Sequence, residues 1–107
     1  MTVLEVLVAA RAKIEREENW TRKMFARNAS GESTCPSYDD ATSFCALGAL
    51  MAVAQADVID RPIRLLERAT QVLYDCLSPV SINDGPDGHA SVLAIYDEAI
   101  RHERATA

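Results

Sequence analysis

Residues Phe44 to Ala54 read Phe-Cys-Ala-Leu-Gly-Ala-Leu-Met-Ala-Val-Ala, eleven positions without a charge. Placed on a helical wheel, the run is apolar on every side, and a helix with no polar face is surrounded by other elements. Ala46, Gly48, Ala49 and Ala52 carry little side-chain bulk, so neighbours can approach the backbone closely. The run falls well short of the roughly 20 residues that cross a bilayer. It predicts a buried central helix of a small helical domain. Upstream, Ser37 is the expected N-cap, with Asp40 three residues on as its capping-box partner and Asp39 favourable to the helix dipole.

Amphipathic segments flank this helix and predict the elements that cover it. Val3, Leu4, Leu7, Ala10 and Ile14 recur at helical spacing among Glu5, Arg11, Lys13, Glu15 and Arg16. They predict a helix over about Thr2–Glu18 with Thr2 as cap. Asp60 is the expected cap of a third helix, with Pro62 in its first turn. Ile63, Leu65, Leu66, Ala69, Val72, Leu73, Cys76 and Leu77 form its inward half, and Pro79 stops it. Ser78–Gly88 reads as a turn-rich loop. A last helix follows over about His89–Arg104, with Val92, Leu93, Tyr96, Ala99 and Ile100 inward and Asp97 paired to Arg101. Between the first two helices, Asn28-Ala29-Ser30-Gly31 is either the turn of a short hairpin, with strands near Trp20–Arg27 and Glu32–Cys35, or part of an irregular loop. The expectation is one all-α domain over residues 1–107, a compact four-helix fold with at most that hairpin added.

Composition narrows the function classes. The chain has 107 residues, 49% of them hydrophobic, with 16 acidic against 11 basic side chains and a formal net charge of −5. That balance disfavours a nucleic-acid binder, which shows a basic field. Neither a leader peptide nor a membrane span is read, so the expected location is cytoplasmic. Three cysteines, Cys35, Cys45 and Cys76, are an odd number at irregular spacing and do not form a disulfide framework. With His89 and His102 they give neither a C-x-x-C nor an H-x-x-x-H pair, so neither a metal nor another cofactor is expected. Cys45 and Cys76 lie on apolar helix faces and read as core. Cys35 is the exposed thiol and His89 the nearest thing to a loop base, but no signature brings them together.

Two features remain as candidate sites. Trp20 is the sole tryptophan, on a segment with Arg22, Lys23 and Arg27; it either anchors that segment to the core or serves as a partner hot spot. The Asn83-Asp84-Gly85 loop, with Asp87, Tyr38, Asp39 and Asp40, could present carboxylates at one end of the domain. The same residue types are ordinary turn formers, and their spacing fails the calcium-loop pattern. The residues singled out for a ligand or partner are therefore Trp20, Tyr38, Asn83, Asp84 and His89.

Trp20, Asp40-Ala41, the run Phe44-Cys45-Ala46-Leu47-Gly48-Ala49-Leu50, then Ile82-Asn83-Asp84 and Val92-Leu93, taken in that order, resemble a family of small bacterial and phage proteins of unknown function. Its members carry a similar C-A-x-G-A-L core helix and a later N-D loop, and the resemblance covers most of the chain. The family pattern has a Trp just before N-D and a Thr capping the final helix. Here Ser81 precedes Ile82, and Gly88 or His89 stands at the cap position. The resemblance implies fold and cellular context, and no activity. With no catalytic signature present, the expected role is a non-enzymatic interaction protein, acting through a protein partner or as a homodimer. A small enzyme or ligand-binding protein using the Asn83–Asp84 end is the alternative.

Overall fold

Thr2 opens the first helix with a full capping box: its hydroxyl accepts the Glu5 amide at 3.1 Å, and the Glu5 carboxylate accepts the Thr2 amide at 2.8 Å. This helix, α1, spans Val3–Lys13. It stops short of the expected Glu18 because the Arg16–Asn19 stretch tightens into a 3₁₀ turn, Glu17–Asn19. The computed structural model describes residues 1–106. In order, it continues with strand β1 (Ala26–Asn28), strand β2 (Ala41–Phe44), α2 (Ala46–Val53), α3 (Asp60–Tyr74), α4 (Pro79–Asn83) and α5 (Gly88–Thr106). The fold is mostly helical, but the described residues form five helices and a two-stranded antiparallel sheet rather than four helices.

The sheet corrects the expected hairpin. β1 pairs with β2, Ala26 opposite Phe44 and Arg27 opposite Ser43. The turn at Asn28–Gly31 does form, with Gly31 at φ 81° and the Asn28 amide bonded to the Glu32 carbonyl. Yet Glu32–Cys35 contributes only an isolated bridge between Ser33 and Arg27. β2 takes the other edge of β1, so that Arg27 lies between Ser33 and Ser43, and Thr42 and Phe44 in β2 are strand-favouring residue types.

That strand also displaces the expected helix start. Ser37 caps nothing here. The N-cap of α2 is Cys45, whose sulfur accepts the Gly48 amide at 3.3 Å. Cysteine ranks outside the preferred capping residues, so the sequence rule points to the wrong position. One face of α2, formed by Ala46, Ala49 and Leu50, is fully buried against the core. The helix is not surrounded on all sides, because Met51 is exposed and Leu47 is only partly covered.

α5 packs against α1, α3 and α4. Val6, Leu7, Ala10 and Ile14 meet Leu65, Leu66 and Ala69 and Val92, Ile95, Tyr96 and Ala99 in one buried cluster. Each large aliphatic side chain in it contributes roughly 1.5–3 kcal/mol of transfer free energy. α3 ends at Tyr74 with Asp75 in the left-handed region at φ 53°. Its expected inward half is buried only in its N-terminal part: Val72 and Leu73 are exposed, Cys76 is half-buried, and Leu77 beyond the helix is 66% exposed. Asp60 lies inside the first turn and Ile59 occupies the cap position without a side-chain bond. The expected loop Ser78–Gly88 contains α4, capped by the Ser78 hydroxyl on the Ser81 amide.

Charges stitch the helices at the surface. Asp97 does not pair with Arg101; it takes Arg11 of α1 at 2.7 Å. Arg101 turns to Glu98, which also receives Arg68 of α3. No helix among the described residues is long and apolar enough to cross a membrane.

Candidate functional site

The 3₁₀ turn after α1 delivers Trp20 to the end of the molecule where α4 meets α5. Its indole N–H donates to Asn83 Oδ1 at 2.8 Å. The same oxygen accepts the amide of Ala46, the first residue of α2, at 3.0 Å. Asn83 Nδ2 donates to the Thr21 carbonyl at 3.0 Å and to Asp84 Oδ1 at 3.1 Å. Asn83 is fully buried, so each of these bonds replaces a lost contact with water. A side chain 37 residues downstream thus satisfies one of the unpaired amides at the start of α2. Tyr96 completes the joint from α5 by donating its hydroxyl to the Ala46 carbonyl at 2.7 Å.

Asp84 extends the joint outward. Its Oδ1 accepts the amide of Lys23 at 2.9 Å, and Lys23 sits in the left-handed region at φ 69°. Arg22 donates to the Gly85 carbonyl at 2.8 Å and lies 4.9 Å from the Trp20 ring. Arg27 binds the Thr21 hydroxyl, the Arg22 carbonyl and the Gly31 carbonyl. The Trp20–Gly31 segment is therefore pinned along its backbone.

His89 stands on the other side of Trp20, its ring centroid 5.5 Å away at 47°. Its Nε2 lies 2.7 Å from the Ile14 carbonyl, which can only accept, so Nε2 carries a proton. Gly88 makes this packing possible: a Cβ there would lie 2.1 Å from the Asn83 carbonyl oxygen and 2.7 Å from the Trp20 ring. The structure thus brings Trp20, Asn83, Asp84 and His89 together. It leaves Tyr38 out, 65% exposed in the turn before β2, with no side-chain hydrogen bond among the described residues.

Chemically, the centre of this cluster is spent. Both ends of the Asn83 amide and the Trp20 N–H are bonded to the protein itself. Among the described residues no buried side-chain nitrogen or oxygen lacks a partner, and no group of three or more His, Cys, Asp or Glu is arranged to hold a metal. Two of the openings around it are lined by the candidate residues. One, of about 280 Å³, is lined by Glu17, Trp20, Arg22, Asp87 and His89. The other, of about 340 Å³, has Met24, Phe25, Leu47 and Val80 as walls, Cys45 at its base and Lys23 and Asp84 among its polar residues.

A family model described as a family of unknown function (DUF6197) matches residues 1–102. The chain belongs to that family. No curated protein and no solved structure matches it. For this DUF6197 member, the geometry gives the quoted sequence features physical meanings. In Cys45-Ala46-Leu47-Gly48 the sulfur caps α2, the Ala46 amide meets Asn83, and Gly48 admits the Phe25 carbonyl. Sequence reasoning did not single out Met24 and Phe25. Their surroundings of Arg and Lys hid them, and the only available signal was two large apolar residues in a segment with no helical or alternating pattern.

The thiols divide by environment. The Ser37 hydroxyl, 3.2 Å away, holds Cys35 below the ordinary thiol range, and this residue is exposed. Burial pushes Cys45 up, which makes it a packing and capping group with little thiolate.

Proposed function

We propose that this chain is a non-enzymatic interaction protein, acting through a protein partner or by self-association, in the manner of a small bacterial or phage regulator or inhibitor in the cytoplasm. The observation that carries this reading is the pair Met24–Phe25. Their side chains are 41% and 49% exposed beside an apolar groove, while the backbone around them is held by Asp84, Arg27 and the Cys45 amide. Rigidly presented large apolar side chains are what interface hot spots require, because little conformational entropy is lost on docking. Leu47 in the groove wall and Met51 one turn further along α2 extend the same apolar face. The small size and acidic balance of the chain agree with a regulator by analogy.

Cross-linking and affinity capture with the wild type and with Phe25→Asp test the reading. A partner, or a second copy, should be retained by the wild type and lost by the folded variant. Identical profiles for the two proteins would remove the apolar face from consideration.

A second reading, a small enzyme or ligand-binding protein, is supported by the opening lined by Trp20, Arg22 and His89. A fragment screen observed by NMR would favour it through shifts at the Trp20 indole and His89 ring signals that disappear in His89→Ala.

A further inference from the structure

The apolar groove and its rim say more about the partner, on the reading that this face is an interaction surface. Lys23 and Asp84 sit side by side at the rim, the Lys23 amide bonded to the Asp84 carboxylate. The Lys23 ammonium forms no ion pair among the described residues. Asp84 uses Oδ1 for the Lys23 and Asn83 bonds, and its second oxygen makes none among the described residues. The groove is therefore apolar at its centre, with one unpaired cation and one half-committed carboxylate at its edge. The chain as a whole carries an acidic excess, at a formal net charge of −5, so two copies repel each other on average. A face with adjacent opposite charges does not. Under two-fold symmetry each patch must complement itself, and an axis passing beside this edge sets Lys23 of each copy against Asp84 of the other.

We propose that the occupant of the groove is a second copy of this chain. Met24 and Phe25 of each copy enter the groove of the other between Leu47 and Val80, and the two Lys23–Asp84 contacts fix the register.

Sedimentation equilibrium of the full chain from about 1 µM to about 1 mM tests this. The wild type should rise from its monomer mass of 11.7 kDa toward twice that value. Phe25→Asp and Met24→Asp should stay monomeric with unchanged circular dichroism, since only exposed side chains are altered. Lys23→Glu should raise the dimer dissociation constant by about tenfold or more, and mixing it with wild type should give an intermediate value, because one of the two charge contacts survives. A wild type that stays monomeric throughout overturns the proposal. It leaves the broader interaction reading standing if capture of a different protein still depends on Phe25. A dimer that persists in both aspartate variants, or that ignores Lys23→Glu, also overturns it by placing the contact elsewhere.

Discussion

The carbonyl oxygen of Phe25 occupies the place where a side chain on Gly48 would begin: a Cβ built there lies 1.8 Å from it. The same carbonyl accepts the amide of Cys45 at 3.1 Å. One peptide group thus holds the loop that displays Met24 and Phe25 against the first turn of α2. Gly48 is required for this reason, and not because it is flexible.

Gly48→Ala should therefore destabilise the protein strongly. The clash is with backbone on both sides, so no side-chain rotation relieves it. A loss at or above the upper end of the usual overpacking range, about 3 kcal/mol, is expected. In a chain of this size that lowers Tm by more than about 10 °C. Thermal unfolding followed by circular dichroism reads it directly, and a melting curve like the wild type's would mean that α2 and the loop are not in contact.

Asn83→Ala leaves the Trp20 indole N–H, the Ala46 amide and the Thr21 carbonyl without their partner. Each group left unsatisfied costs about 1–3 kcal/mol, less where water enters, so a loss of unfolding free energy near 3 kcal/mol is expected, read as a fall in the urea midpoint. Trp20 is the only tryptophan, and its emission should shift to the red in the folded variant as the indole becomes hydrated. Unchanged stability and emission would show that Asn83 does not hold this joint.

Thiol labelling of the native protein should proceed in a fixed order. Cys35, exposed and lowered by Ser37, reacts first, and Cys35→Ser removes that fast phase. Cys45, buried and raised, reacts only on unfolding, at a rate that follows denaturant. Rapid labelling of Cys45 without denaturant would contradict its place as the cap of α2.

Acid should weaken the packing of α3 against α5. Hydrogen bonds from Arg101 and then Arg68 lower the Glu98 carboxyl to about 2 from an ordinary value near 4.5. A group depressed in the folded state stabilises fully above its unfolded pKa, and that contribution is lost as pH falls through the folded value. Tm should accordingly decline between about pH 4.5 and pH 2, and Glu98→Gln should flatten that part of the profile. A profile identical in the two proteins would place the acid sensitivity on other carboxylates.

Local pattern made the helical class legible. The 3.6-residue spacing of Leu7, Ala10 and Ile14, of Leu65, Leu66 and Ala69, and of Val92, Tyr96 and Ala99 identifies three helix faces that are indeed buried, while Val3 at the start of the first stripe is only partly covered. The Thr2 cap and the turn at Asn28–Gly31 were equally readable, because the groups involved lie within four residues of each other. Trp20 and Asn83-Asp84 stood out as polar or aromatic residues without an assigned place, but their relationship did not.

What the sequence determined alone is thus the three amphipathic helices α1, α3 and α5 and the apolar stretch that becomes α2, while α4 lay hidden in a stretch that reads as a loop. The tertiary structure decided where α2 begins, since Cys45 becomes a cap only once β2 pairs with β1 and the Phe25 carbonyl arrives at its amide. It also decided which apolar residues stay uncovered: Met51, Val72, Leu73 and Leu77 carry the same hydrophobic signal as their buried neighbours, and only the absence of a facing element separates them. The bonds of Asn83 to Ala46 and Trp20 span 37 and 63 residues. Local periodicity and capping preferences act over about one helical turn, so contacts of that separation exist only after the chain has packed.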